Sequence, residues 1–228
     1  MKNETNNIFF DIDGTLIDTS ERHYRIYKDI LYSYGIQKIF SKRKFWNQKR
    51  EGKKTVEIIY KKSFKQLKKN FAHDWLTKIE DRKYLKFDKL FSGCLNVLSD
   101  LKKTNDLIFV TMRNNKKNLL WELDNFGLNK YCSKIIVGSP IDLKSKVPLI
   151  NKYIIKNQRG KNIIIGDTEM DIAAGKKLGI LTIASIYGIR SKQFLSRLEP
   201  DYYLSKLSKL PKILKRVEND SIPEFKKT

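Results

Sequence analysis

Four aspartates in this chain are spaced so that they could act together. Asp11 and Asp13 follow the apolar run Asn7–Phe10, and Asp167 and Asp171 follow the run Asn162–Ile165. Carboxylates brought close repel one another, and some take up protons unless a cation shares them. A hard divalent ion relieves that repulsion, and Mg²⁺ commonly takes one or two carboxylates together with phosphate oxygens. Thr111 after Leu107–Val110, and Lys144 and Lys146 after Lys134–Val137, would add a hydroxyl and an ammonium group. The pair Asp167 and Asp171 also has a purely local reading. With Thr168 as N-cap, Glu169 and Asp171 fall in a first helical turn, where acids suit the helix dipole.

For these residues to meet, the runs before them must lie side by side. The runs Asn7–Phe10, Leu107–Val110, Lys134–Val137 and Asn162–Ile165, with Leu181–Ile186 and Asp201–Leu204, lack apolar/polar alternation. That pattern suits strands buried on both faces of a parallel sheet. Helical spacing of apolar residues fills the gaps at Gly93–Lys103, Lys116–Phe126, Pro148–Ile155 and Glu169–Leu178. The alternation predicts an α/β fold, a Rossmann-like doubly wound parallel sheet, whose ligands sit beyond the carboxyl ends of the strands. From about Thr19 to Phe87 no strand-like run occurs. A helix opening behind Asp18, Thr19 or Ser20 and running over Arg22–Tyr34 starts a Lys-rich helical stretch with breaks at Gly35, Gly52 and Asn70. The expected organisation is a core of residues 1–18 and 87–228 with a helical subdomain, 19–86, inserted after the first strand. The tail from Glu218 to Thr228 is expected to fray.

Placed on these elements, the motifs resemble those of the haloacid dehalogenase-like superfamily. Asp11-Ile12-Asp13-Gly14-Thr15-Leu16 is similar to its DxDGT motif, Thr111 to its second motif, Lys146 to its third, and Gly166-Asp167-Thr168-Glu169-Met170-Asp171 to its fourth, GDTxxD. Four motifs in order, each at a strand end, are far more specific than one alone. The resemblance spans Ile8 to about Leu204 and is closest to phosphoglycolate-phosphatase-like members, which carry a helical cap where this chain has its insertion.

The resemblance implies a Mg²⁺-dependent phosphomonoester hydrolase acting on a small phosphorylated metabolite. Asp11 would be the nucleophile that forms an aspartyl-phosphate, and Asp13 the general acid and then base. Thr111, Lys146 and backbone N–H groups near Asp13 would hold the phosphoryl oxygens. The Mg²⁺ ligands would be the Asp11 carboxylate, the Asp13 carbonyl and Asp167, with Asp171 helping directly or through water and orienting Lys146. The dehalogenase branch lacks the second acid, so Asp13 argues against dehalogenation. A sugar phosphomutase of the same fold is the near alternative, since it also needs Asp11 and Asp13.

Two departures from the family pattern matter. The third motif often reads Lys-Pro, whereas here Lys144-Ser145-Lys146-Val147-Pro148 offers two lysines; Lys146 is preferred because it directly precedes a helix. The second motif continues Met112-Arg113-Asn114, and Arg113 could reach a second anionic group on the substrate. By the same resemblance a loop near the middle of the cap should close over the leaving group. The matching segment is Lys49-Arg50-Glu51-Gly52-Lys53-Lys54, with Arg50, Lys53 and Lys54 as expected substrate contacts. His23, His73, Trp46, Trp75 and Trp121 read as packing or surface residues.

Composition sets the remaining bounds. The chain has 228 residues, 47 Lys plus Arg against 25 Asp plus Glu, and a formal net charge of +22. Residues 38–69 hold 13 basic residues against Glu51 and Glu57, half of the net charge. Such a segment fits a nucleic acid, a phosphorylated substrate or a solvated surface. A nucleic-acid-associated protein, or a polynucleotide end-phosphatase using the basic cap, therefore stands as the rival from another class. No apolar stretch approaches a membrane span and no signal-peptide core precedes the first run, so a cytoplasmic protein is expected. Cys94 and Cys132 give neither a disulfide framework nor a metal cluster. Oligomeric state is not encoded in any motif.

Overall fold

The computed structural model describes residues 5–59, 67, 70–141, 145–158 and 160–219. β1 (Asn6–Phe10) leads through a tight turn into short β2 (Ile17–Asp18), which pairs antiparallel with β3 (Lys89–Leu90). The other strands are β4 (Asn105–Met112), β5 (Lys134–Gly138), β6 (Asn162–Gly166), β7 (Leu181–Ser185) and β8 (Tyr202–Leu204). With β1 they form a six-stranded sheet in the order β5-β4-β1-β6-β7-β8, every neighbouring pair parallel.

The absence of alternation in the runs is explained by two hydrophobic layers. Ile8, Phe10, Leu107, Phe109, Ile163 and Ile165 face one, with Leu98, Leu101, Leu119 and Leu123 from the helices packed on them. Phe9, Ile108, Val110 and Ile164 face the other, with Ile150 and Ala174. Successive residues of a strand point to opposite faces, and here both faces are buried.

The chain between β2 and β3 carries α1 (Ser20–Ser33), α2 (Lys42–Arg50), α3 (Phe71–Lys78) and the single turn α4 (Arg82–Leu85). These helices bury a cluster of their own, which includes Ile26, Tyr27, Ile30, Phe45, Phe71 and Tyr84. Thr19 is the N-cap of α1 but makes no side-chain cap bond; Asp18 supplies it, its Oδ1 accepting from the Ser20 amide at 2.9 Å. Five lysines of the basic stretch, Lys61, Lys62, Lys65, Lys68 and Lys69, lie outside the described residues.

Beyond β3 come α5 (Cys94–Leu101), α6 (Lys116–Asn125), α7 (Val147–Lys156), α8 (Glu169–Leu178), α9 (Lys192–Leu195) and α10 (Leu210–Asn219). The tail expected to fray from Glu218 is helical as far as Asn219, and residues 220–228 lie outside the described residues. Cys94 and Cys132 are free thiols. No helix among the described residues is long and apolar enough to cross a membrane.

Candidate active site

Parallel pairing brings the ends of β1, β4 and β6 to one edge, and the chemistry-bearing residues gather there. Asp11 extends β1, its amide donating to the Ile165 carbonyl at 2.9 Å. Carboxylate oxygens of Asp11, Asp167 and Asp171 lie within 4.8 Å of one another, all three residues buried. Lys146, immediately before α7, sends its Nζ among them, 2.5 Å from Asp11 Oδ1, 2.6 Å from Asp171 Oδ1 and 3.0 Å from the Val110 carbonyl. Thr111 is the next residue of β4 and is buried. Lys144 lies outside the described residues.

One ammonium among three buried carboxylates leaves the charge unbalanced. Burial, opposed by Lys146 and reinforced by Asp171, pushes the Asp11 carboxyl up to about 7. Burial and the neighbouring Asp11 push Asp167 well above the usual range. Burial works against the Lys146 charge, but Asp11 and Asp171 more than offset it and hold the ammonium protonated. A hard divalent cation would let these acids ionise together, so the donor set fits Mg²⁺.

The Asp171 oxygens are already occupied within the protein. Oδ1 meets Lys146, while Oδ2 accepts from the Thr168 amide at 3.1 Å and the Thr168 hydroxyl at 2.7 Å, a reciprocal cap on α8. Asp167 is seated differently. Its Oδ2 accepts from the Ile189 amide at 2.6 Å and its Oδ1 from the Thr15 hydroxyl at 3.3 Å. Gly14, at φ +80°, makes the turn after Asp13 in a conformation that other residues adopt only with strain.

Gly188 has no room for a side chain. A Cβ there would stand 2.3 Å from Asp167 Oδ2 and 2.3 Å from the Gly14 carbonyl oxygen. Gly188→Ala should therefore lower kcat and cost about 1–3 kcal/mol, the usual scale of overpacking. Phosphate-release kinetics and thermal melting check this, and wild-type values for both would show that the loop can yield.

Asp13 sits in a second charge network. Its Oδ1 accepts from Arg22 Nη2 at 2.7 Å and Arg113 Nη2 at 2.5 Å, and its Oδ2 from Arg113 Nε at 2.8 Å. Burial works against its charge, yet Arg113 and Arg22 together hold the carboxyl well below the usual range. Behind the arginines lie Glu122, 2.7 Å from Arg113 Nη1, and Asp88, 3.2 Å from Arg22 Nε, both buried. Burial pushes Asp88 up to about 9, with Arg22 opposing and Glu122 adding to the shift.

Arg113 was expected to face the substrate. Instead it is 3% exposed and its guanidinium is committed to Asp13 and Glu122. The physical reason is Glu122, an acid on the apolar face of α6 beside Leu119 and Leu123. That interruption of the Leu pattern is the sequence signal that could have revealed the network.

The helical insert meets the sheet edge at two places. Glu80 accepts from the Asn114 and Asn115 amides at 2.9 and 2.6 Å, fixing the loop after β4. At the other, Arg50 donates to the Ile186 and Gly188 carbonyls, and Arg190 Nη1 donates to the Lys49 carbonyl at 2.7 Å. Arg50 thus fastens α2 to the loop that seats Asp167. Lys53 and Lys54 are exposed: Lys53 Nζ donates to Gln48 Oε1 at 2.9 Å, and the Lys54 amide to Glu57 Oε2 at 3.0 Å. Among the described residues none of the three pairs with Asp11; the buried cation of this segment is Lys49. His23 is also buried, edge-on to Trp46 and Trp75 with ring centroids 5.8 and 5.4 Å away, whereas His73 is exposed. Trp121 stacks under Arg82 at 4.8 Å.

Comparison with known proteins gives the same picture. The sequence model described as haloacid dehalogenase-like hydrolase matches residues 8–185. Pyrophosphatase PpaX of Halalkalibacterium halodurans is 23% identical over 216 residues, covering 91% of this chain and 95% of the relative. A phosphoglycolate phosphatase of Aquifex aeolicus is 26% identical over 214 residues, with 91% and 95% covered. Among solved structures, a haloacid dehalogenase-like hydrolase of Streptococcus pneumoniae superposes with a TM-score of 0.70 at 21% identity, covering 92% of this chain and 98% of the other.

Proposed function

The chain belongs to the haloacid dehalogenase-like hydrolase family, and from that premise we propose that it is a Mg²⁺-dependent phosphatase of small phosphorylated compounds, working through an aspartyl-phosphate on Asp11. The observation that carries the reading is the grouping of Asp11, Asp167 and Asp171 within 4.8 Å around the Lys146 ammonium at the carboxyl edge of the sheet. The relatives named as pyrophosphatase and phosphoglycolate phosphatase support a small phosphoryl substrate.

In this reading an Asp11 oxygen attacks phosphorus, and the bond to the leaving oxygen breaks as Asp13 gives that oxygen a proton. Asp13 then takes a proton from water, whose oxygen attacks the same phosphorus, releasing phosphate and restoring the Asp11 carboxylate. Lys146 and Thr111 hold the equatorial oxygens, where charge gathers in the transition state. Asp171 orients Lys146 and caps α8. Asp11, Asp167 and the Asp13 carbonyl would hold Mg²⁺, which supplies charge neutralisation for the transferring group. Asp13 can serve only after leaving its arginines, since three N–H donors occupy its two oxygens. The helical insert, residues 19–86, acts as the cap that excludes water.

The test is phosphate release from a panel of sugar phosphates, phosphoglycolate, pyrophosphate, nucleotides and phosphorylated oligonucleotides. Activity should be abolished by excess EDTA, restored by Mg²⁺ and inhibited by Ca²⁺, whose longer and looser coordination misplaces in-line attack. Full turnover in EDTA would remove the metal from the reading.

A further inference from the structure

The helical insert carries a recess that the phosphatase chemistry does not use. Its volume is about 230 Å³, its wall is built from α1 and from α4 with the two residues that follow it, and none of the catalytic residues lines it. Four cations stand in the wall, Arg25 and Lys28 from α1 and Lys83 and Lys86 from α4 and its end, against two acids, Glu21 and Asp29. The acids are already engaged. Glu21 pairs with Arg25 at 2.7 Å and with Lys42 at 2.8 Å. Asp29 accepts from the Tyr84 hydroxyl at 2.7 Å and has Lys83 Nζ at 3.9 Å. Lys28 and Lys86 have no carboxylate partner among the described residues. Their ammonium groups lie over aromatic rings instead, Lys28 5.6 Å from the Tyr32 centroid and Lys86 5.8 Å from that of Phe87, whose face the Arg25 guanidinium also covers at 3.8 Å. The recess thus offers positive charge that the protein leaves unneutralised, held against aromatic surface.

The spacing of the cations says what kind of anion fits. Arg25 and Lys28 are three residues apart, as are Lys83 and Lys86, and positions so related on a helix are neighbours about 5–6 Å apart. Two short rows of charge therefore line one recess, which suits an anion whose charges repeat along a chain better than a single phosphate. The ring faces and the guanidinium plane beside the charges suit an anion that also carries flat bases. Single-stranded nucleic acid has both features, and sequence-tolerant strand sites combine a positive groove with aromatic and arginine planes. A duplex keeps its base faces stacked on one another and could use only the charge.

We propose that this recess binds single-stranded nucleic acid, with phosphates on Lys28, Lys83 and Lys86 and an unstacked base against the Arg25–Phe87 pair. The inference does not depend on the phosphatase reading and concerns a separate site. None of the four cations belongs to the basic stretch 38–69. The recess therefore gives the excess of positive charge a specific place that composition alone did not single out.

The experiment is fluorescence anisotropy of a labelled oligouridylate of about ten nucleotides, without terminal phosphate and in EDTA so that no turnover intervenes. The double variant Lys28→Gln with Lys86→Gln is compared with wild type and with a charge-matched control, Lys177→Gln with Lys209→Gln, two exposed lysines of the core. The recess variant should bind about tenfold more weakly and lower the slope of log K against log salt by about 1.4, since each phosphate contact on a single strand contributes about 0.7. The control should stay within about twofold of wild type, because its lysines touch no strand. Equal losses in the two variants would mean diffuse attraction by net charge and would overturn the proposal. Neither recess lysine has an ion pair to lose, so melting should shift by no more than about 2 °C. Lys86→Gln alone, at an exposed position, should lower the slope by about 0.7, and an unchanged slope would count against the site. An abasic oligomer of the same length should bind wild type about tenfold more weakly, the scale of one lost stacked base; equal binding would show that only phosphates are read and would sink the strand assignment. Uridine monophosphate binding as tightly as the oligomer would overturn it too, giving the recess to a free nucleotide.

Discussion

Replacing Asp11 by Asn should bring phosphate release below about 0.1% of wild type, the scale of loss when a covalent nucleophile is removed. The amide is nearly isosteric, but it is a far weaker nucleophile and metal ligand. Folding should survive. Asp11 is one of three crowded acids, and burial with its neighbours already holds it up near 7. Removing it relieves repulsion with Asp167 and Asp171, while Lys146 keeps the Asp171 carboxylate at 2.6 Å and the Val110 carbonyl at 3.0 Å. The melting temperature without metal should therefore stay within a few degrees of wild type. Stabilisation by added Mg²⁺ should shrink, because a ligand stabilises only in proportion to its binding. Turnover of more than a few per cent in the purified variant would require another nucleophile.

The parts of this molecule that were legible in the sequence are those governed by local pattern. Each of the six sheet strands falls on one of the expected apolar runs, β7 and β8 one residue shorter than theirs, because strands buried on both faces need continuous apolar residues. Asp11, Asp167, Asp171 and Lys146 meet because parallel pairing aligns the ends of β1 and β6, and Lys146 precedes α7. The two-residue ribbon of β2 and β3 was invisible, being too short for periodicity to register. The partners of Asp13 were invisible for another reason. Arg22, Asp88, Arg113 and Glu122 come from four separate segments, and only tertiary packing shows that they neutralise one another. Charge alone could not rank Lys49 above Arg50, Lys53 and Lys54 either. Between Lys49 and Arg50 that distinction depends on which face of α2 turns inward against Trp75, and Lys53 and Lys54 lie beyond the helix.

Arg113 offers the clearest stability test of the second network. Arg113→Met keeps much of the side-chain volume and removes the guanidinium, leaving Glu122, 1% exposed, without its 2.7 Å ion-pair partner. Breaking a buried pair on one side typically costs about 3–5 kcal/mol, since the remaining charge has lost its compensation. At about 2–4 °C per kcal/mol for a chain of this size, the melting temperature should fall by roughly 10 °C. The paired variant Arg113→Met with Glu122→Leu should recover most of that loss, because a buried ion pair replaced by apolar groups is often neutral. Activity should also shift in both, since Arg113 makes two of the three hydrogen bonds that Asp13 must give up before it can serve. The sequence pattern alone suggested a different role, with Arg113 reaching an anionic group on the substrate. On that view Arg113→Met would raise KM at an unchanged melting temperature, and Glu122→Leu would have no compensating effect. Melting curves of the two single variants and the double variant, with KM measured on each, decide between a substrate contact and a buried clamp on Asp13.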